Sequence, residues 1–233
     1  MSAEAREGYK RTDAGVVPQD WDVKRLGELG TVNAGGTPSR SNPAYWNGGI
    51  PWVTTSEVDF QTVTHAEQFI TAEGLKNSAA KLLAPGTILM ALYGQGKTRG
   101  KVGVLGIEAS ANQACAAISI GRAVSREYVF HFLASQYEAI RDLSNSGNQL
   151  NLSGSIVRSI YVLLPPKAEQ EAIAEAFRDV NALIESLEQL IAKKRHIKQG
   201  AMQELLTGKR RLPGFDGEWA ETREVAPLVR TPN

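Results

Sequence analysis

One cysteine, Cys115, and three histidines, His65, His131 and His196, are all the thiol and imidazole groups in 233 residues. A lone thiol cannot close an internal disulfide or build a cysteine-based metal site. The histidines stand far apart with no partner at ligand spacing, so no metal site is expected. No Ser/His/Asp arrangement is visible either, and no catalytic residue is assigned. No apolar run approaches the roughly 20 residues needed to cross a bilayer, so no membrane partner is expected. The polar opening segment does not read as a secretory signal, and the expected compartment is the cytoplasm. Charge of one sign is also missing: 26 Lys and Arg stand against 25 Asp and Glu, a net of +1. A nucleic-acid role is therefore not written in bulk charge and has to rest on local clusters.

What the chain has is one long helix-forming stretch. AEQEAIAEAFRDVNALIESLEQLIAKKRHIKQGAMQELLT runs from Ala168 to Thr207 without proline and with Gly200 as its one glycine. Apolar residues recur by threes and fours, which is the pattern of a coiled-coil seam. The seam takes Ile173, Phe177, Val180, Leu183, Leu187, Leu190, Ile197 and Ala201, with Lys194 in register among them. The opposite face is charged throughout. Its second half is basic (Lys193, Lys194, Arg195, Lys198), and part of that run simply suits the negative end of the helix dipole. At about 1.5 Å per residue the helix is roughly 55–60 Å long, a length that suits a spacer or a dimerisation arm. Pro165 and Pro166 stop the preceding strand, and Gly208 stands where a left-handed cap belongs.

Upstream, short strand-like runs alternate with loops. One periodic helix is expected over residues 125–144, a flexible lead-in up to Arg11, and polar loops over 33–51 and 145–155. The fold class is α+β: a globular domain with a mixed sheet over residues 1–164, a long helix over 165–211, and a tail over 212–233. The tail stretch FDGEWAETREVAPL echoes VPQDWDVKRLGEL near the front, as the opening of a second repeat would.

Three motifs carry possible chemistry. ALYGQGKT (residues 91–98) approaches a phosphate-binding loop, but Ala91 replaces the first glycine, and RGKVGVLG reads as strand where a helix must begin. A hairpin-like turn carrying Lys97, Arg99 and Lys101 fits better, with alternate cations suited to a phosphate backbone. NPAY (residues 42–45) resembles an adenine methyltransferase motif but sits in a polar loop, and no cofactor loop accompanies it. Asp22 and Lys24 carry a trace of a nuclease pair without a partner carboxylate.

GELGTVNAGGTPSRSNPAYWNGGIPWVTTSEV, ILMALYGQGKTRGKVGVL with ANQACAAI, LLPPKAEQEAIA and LLTGKRRLPGF, in this order, resemble the specificity subunit of type I restriction–modification enzymes. The resemblance implies a target-recognition domain that reads one half of a split double-stranded DNA target. It implies a long helix that pairs antiparallel with a second one and sets the spacer between the half-targets. Methyltransferase subunits would dock on this scaffold and methylate adenine N6 with S-adenosylmethionine. Restriction subunits would supply ATP- and Mg-dependent translocation and cleavage. The specificity subunit has no catalytic site, so no cofactor is expected on this chain. The sequence resembles a half-length form with one recognition domain, which makes a homodimer the expected assembly, with Lys194 helping to set register. Arg40, Lys97, Arg99 and Lys101 are the expected phosphate or guanine contacts. Thr37, Ser39, Ser56, Gln95 and Thr98 complete the expected DNA-facing set. The rival readings are a coiled-coil interaction module that does not touch DNA and a nucleotide hydrolase built on the 91–98 loop.

Overall fold

The computed structural model describes residues 7–94, 96–143 and 151–217. The chain opens on a hairpin of β1 (Tyr9–Thr12) and β2 (Gly15–Pro18), followed by β3 (Asp22–Arg25), the one-turn helix α1 (Leu26–Leu29) and β4 (Gly30–Ala34). A 3-10 turn (Pro43–Tyr45) leads into β5 (Trp46–Val53), β6 (Thr62–Val63), β7 (Gln68–Ile70) and α2 (Ala72–Lys76). Then come β8 (Ile88–Ala91), β9 (Val102–Leu105), β10 (Ser110–Ala111) and β11 (Cys115–Ile120). Helices α3 (Arg126–Ser135), α4 (Tyr137–Asp142) and α5 (Gly154–Ser159), strand β12 (Tyr161–Leu164) and helix α6 (Lys167–Leu205) complete it.

Two compact units divide the chain, residues 1–177 and 178–233. The first is built on a five-stranded sheet of order β4-β11-β8-β9-β6, antiparallel except for the β6–β9 pair. A three-stranded sheet, β10-β5-β7, also mixes directions, and β3 pairs with β12. The α+β class with a mixed sheet and a long terminal helix is what the sequence led us to expect.

The period-2 rule explains the core. Successive residues of a strand face opposite sides of the sheet. Ile88 and Met90 of β8 and Ala116 and Ile118 of β11 enter one apolar cluster with Val129 and Leu133 of α3, Val157 of α5 and Val162 of β12. Leu89, Cys115 and Ala117, one residue out of phase, enter a second cluster with Val53, Leu105 and Ala111. Both faces of the sheet are thus covered, which is why these strands read as unbroken apolar runs.

Several expectations are corrected. Residues 9–11, placed in a flexible lead-in, form β1 against β2; residues 1–6 lie outside the described residues. The 33–51 loop is shorter than expected, because β4 runs to Ala34 and β5 starts at Trp46. The helix expected over 125–144 breaks at Gln136, whose φ of −92° and ψ of 11° leave helical geometry between α3 and α4. Part of the polar 145–155 loop forms the start of α5, with Ser153 capping it by accepting the Ile156 N–H at 3.2 Å; residues 144–150 lie outside the described residues, as do 218–233 and the echo of the front in the tail.

Helix α6, 39 residues long, begins inside the first unit. Gln170 is buried there: its amide donates to the Pro165 carbonyl at 2.8 Å and accepts the Ser125 N–H at 2.9 Å. That N–H belongs to the capping residue of α3, so one side chain ties the start of α6 to the start of α3. Ile173 packs, partly buried, against the larger core cluster, and the Phe177 ring lies 4.7 Å from that of His131. Burial pulls the His131 pKa down against the opposing charge of Glu127. In the second unit the apolar stripe is open: Val180, Leu183, Leu187, Leu190 and Ile197 are all about half exposed. Among the described residues no helix is long and apolar enough to cross a membrane.

Cys115 lies wholly inside the second cluster. Burial, helped by the charge of Glu57, pushes its thiol up to about 12. A free thiol near 8.5 is partly thiolate at pH 8; this one stays protonated. The native protein should therefore resist iodoacetamide at pH 8 and take up one equivalent only in denaturant. Rapid labelling of the folded chain would contradict this placement.

Candidate nucleic-acid interface

Ala34 ends β4 and pairs with Ala116, and Ala91 ends β8 and pairs with Cys115. Both strands therefore release the chain at the end of the sheet where β11 begins. Three segments meet there: the loop after β4, the turn after β8, and the short turn 112–114 before β11. The last lies between the other two. Gln113 accepts a hydrogen bond from the Thr37 hydroxyl, and the Ala114 carbonyl accepts the Leu92 N–H at 2.7 Å. Antiparallel pairing has brought together two loops that are far apart in sequence.

The first loop is seated by its double glycine. The Gly35 N–H reaches the Cys115 carbonyl at 3.0 Å, and the Gly36 N–H reaches the Ala111 carbonyl at 2.8 Å. A Cβ on Gly36 would lie 2.1 Å from the Ala80 nitrogen, and one on Gly35 would lie 2.0 Å from the Asn112 oxygen. Only hydrogen fits at both positions. Beyond them, Trp52 donates its indole N–H to the Gly36 carbonyl at 2.9 Å, and Trp46 donates to the Ser39 carbonyl at 3.0 Å. Arg40 stacks on Trp46 and donates to Gln68 at 2.8 Å. Ser39 and Ser41 stay exposed, with their hydroxyl oxygens 2.8 Å apart.

The second loop is a turn between antiparallel strands, since Met90 pairs with Val102 across it. Strand β9 and not a helix follows it, so the phosphate-loop reading fails on context, and Gly96 takes a φ of +87° that suits a turn. Tyr137 donates its hydroxyl to the Lys97 carbonyl, and Arg141 donates to the Gly96 carbonyl at 2.6 Å. The break between α3 and α4 immediately precedes Tyr137. Lys97 is exposed, while Thr98 and Arg99 are half-buried. Lys101 is committed to Asp59 at 2.5 Å, so it serves the fold before any ligand. Gln95 lies outside the described residues.

Ser56 is likewise engaged within the chain. Its hydroxyl lies 2.5 Å from that of Thr54 and donates to Glu57 at 3.0 Å. Burial alone would raise the Glu57 pKa, but the hydroxyls of Thr54 and Ser56 and the N–H groups of Glu67 and Thr54 outweigh it and hold the carboxyl below its usual value. The candidates therefore separate. Ser39 and Lys97 are exposed at the loops and Arg40 is exposed but engaged with Trp46 and Gln68, while Thr37, Ser56 and Lys101 use their polar groups to hold the chain to itself. Gln113, Trp46, Trp52, Tyr137 and Arg141 shape the site without having been singled out. Gln113, Trp46 and Trp52 show only amide or aromatic character in or near loops, and Tyr137 and Arg141 read as ordinary helix residues, signals too common to select them.

NPAY forms a 3-10 turn in which Asn42 accepts the Ala44 N–H at 3.1 Å, a capping role. Asp22 and Lys24 lie exposed on β3, paired with β12. Among the described residues no cluster of His, Cys, Asp and Glu could hold a metal ion.

Gly36→Ala should lower stability by about 1–3 kcal/mol or more, because the backbone at Ala79 and Ala80 has to move. The denaturation midpoint measures this, and an unchanged midpoint would show that the seat is loose.

Comparison with known proteins bears on what this surface is for. The profile of the type I restriction modification DNA specificity domain matches residues 18–194. The chain is 29% identical to the type I restriction enzyme MjaIX specificity subunit of Methanocaldococcus jannaschii over 186 residues, covering 76% of this chain and 42% of that protein. It is 25% identical to the EcoR124I/EcoR124II specificity subunit of Escherichia coli, covering 76% of this chain and 45% of that one. The HsdS subunit from Thermoanaerobacter tengcongensis shares the fold at a TM-score of 0.59 and 17% identity, over 85% of this chain and 47% of that one. A chain from a study of complex assembly and conformational transition of the type I R-M system superposes at a TM-score of 0.61 and 18% identity, over 81% of this chain and 46% of that one. The chain spans about half the length of the curated relatives it matches. With the family profile covering the sheet, both loops and most of α6, the chain belongs to the type I restriction–modification DNA specificity family.

Proposed function

We propose that each chain reads one half of a bipartite double-stranded DNA target with the loops at residues 35–46 and 93–101, and that two chains pair through α6. As a specificity component the chain carries no catalytic step. Methyltransferase subunits dock on it and supply adenine N6 methylation from S-adenosylmethionine, and restriction subunits supply the ATP- and Mg-dependent cleavage. The observation that carries the reading is the convergence, at one end of the β4-β11-β8 sheet, of two loops bearing exposed Ser39, Ser41 and Lys97 in a chain of this family. Hydroxyl groups suit base edges, and a lysine suits phosphate.

The pairing rests on the open stripe from Val180 to Ile197. Water-exposed Leu, Ile and Val repeated along one helix face are stabilised by a matching stripe, and a second copy offers one. Charge favours the antiparallel sense. Residues 169–188 of α6 carry Glu169, Glu171, Glu175, Asp179, Glu185 and Glu188 against Arg178, while 193–198 carry Lys193, Lys194, Arg195 and Lys198. Antiparallel copies set the acidic half of one against the basic half of the other. Lys194, inside the stripe, disfavours registers that would bury it. At about 1.5 Å per residue, α6 spans roughly 58 Å, the length of some 17 base pairs at about 3.4 Å each.

In sedimentation equilibrium the chain should be dimeric at micromolar concentration, and Leu187→Lys should make it monomeric; a monomeric wild type would remove the pairing. Mapping N6-methyladenine in DNA modified by the assembled methyltransferase should return two inverted half-sites with a constant gap. A contiguous or asymmetric motif would exclude two identical readers.

A further inference from the structure

We infer that Arg40 is a positioning residue whose guanidinium clamps the first loop onto Trp46 and Trp52, so that it acts on DNA recognition through the loop and not by contact of its own. The inference rests on the DNA-reading role proposed above.

The guanidinium carbon lies 3.7 Å from the centroid of the Trp46 ring and 5.0 Å from that of Trp52. At 3.7 Å one face of the guanidinium is covered by an indole. One end of its donor fork is used as well, since Nη2 donates to Gln68 at 2.8 Å. The two indoles meet edge to face at 5.1 Å and form a corner. Each indole also holds the loop backbone by its N–H, Trp52 at Gly36 and Trp46 at Ser39. Residues 35–42 thus lie across the corner, and the Arg40 side chain folds back over it. Between Gly36 and the 3-10 turn this segment has little backbone pairing of its own; the Asn42 N–H to Ser39 carbonyl bond at 3.3 Å is its one internal closure. Side-chain contacts have to hold it.

Reading guanine requires both donors of the fork to face the base edge. With one face on Trp46 and Nη2 bonded to Gln68, Arg40 would give up both contacts to turn its fork onto a base. Stacking on an indole while donating in plane is what a planar guanidinium does well and a lysine ammonium does poorly. The segment held by the clamp carries the exposed hydroxyls of Ser39 and Ser41, 2.8 Å apart.

The test compares wild type, Arg40→Ala and Trp46→Leu in complex with the methyltransferase subunit. Amide exchange in the free chain is measured alongside. Both variants should speed exchange in residues 36–46 and leave the β8–β11 amides unchanged. Both should weaken binding to the specific duplex on the order of tenfold, with scrambled duplex and the salt dependence unaltered and the double variant no worse than either single one. A salt slope reduced by about one, with equal loss on both duplexes, would make Arg40 a phosphate contact and overturn the clamp. Loss on the specific duplex in Arg40→Ala with normal loop exchange would make it a direct reader and overturn it too. If wild type itself fails to distinguish the two duplexes, the DNA-reading role falls, and the inference with it.

Discussion

Ile88–Ala91 and Cys115–Ile118 exchange backbone hydrogen bonds with neither face of the pair left to solvent. An apolar strand pair covered on both sides cannot slip by one residue, because the slip would exchange Ile88 and Met90 for Leu89 and send alanines where larger side chains fill space. Everything that faces outward depends on this register. β4 adds to one edge and β9 to the other, and the ends of β4 and β8 come level at the start of β11. The two loops meet because three strands end together, with Gln113 and Ala114 linking them.

At that end polar chemistry is spent first on holding shape. Thr37, Ser56, Lys101 and one face of Arg40 all make contacts inside the chain. Loops that have to present a fixed pattern of donors gain from this arrangement, because an ordered surface loses less conformational entropy when a ligand arrives. Among the described residues, the serine hydroxyls at 39 and 41, Tyr93 and Lys97 stay outward. Trp46, Trp52 and Tyr137 each donate to a loop carbonyl, and without them segments of this polar composition would have little to hold them in place.

Helix α6 has two environments along one pattern. The same threes-and-fours spacing runs through Ile173 and Leu187, yet Ile173 packs on the globular core while Leu187 is half exposed. The divide between the compact units falls after Phe177. Gln170, buried with both halves of its amide satisfied, secures the first turns. An amide suits that place: a carboxylate could not donate to the Pro165 carbonyl, and an apolar side chain would leave the Ser125 N–H without a partner.

The amino-acid order alone determined the elements whose signal is local and repeated. The 3.5-residue spacing of α6, the apolar runs of β8 and β11, the turn at 93–101 and the ordered set of family segments were all legible, since each rests on neighbours in sequence. The break at Gln136 and the shortening of the 33–51 loop were not, because each follows from contacts made across the fold, and the hairpin at Tyr9–Pro18, though local, opens on a four-residue strand with no apolar alternation to mark it. The same holds for the site. Composition marked Arg40, Ser56 and Lys101 as cations and hydroxyls in loops, and it could not say that Trp46, Glu57 and Asp59 would take them. A side chain's type sets what it can bond to; only the packed chain decides which partner is within 3 Å, and that choice separates a group that builds the loop from one left to meet a ligand.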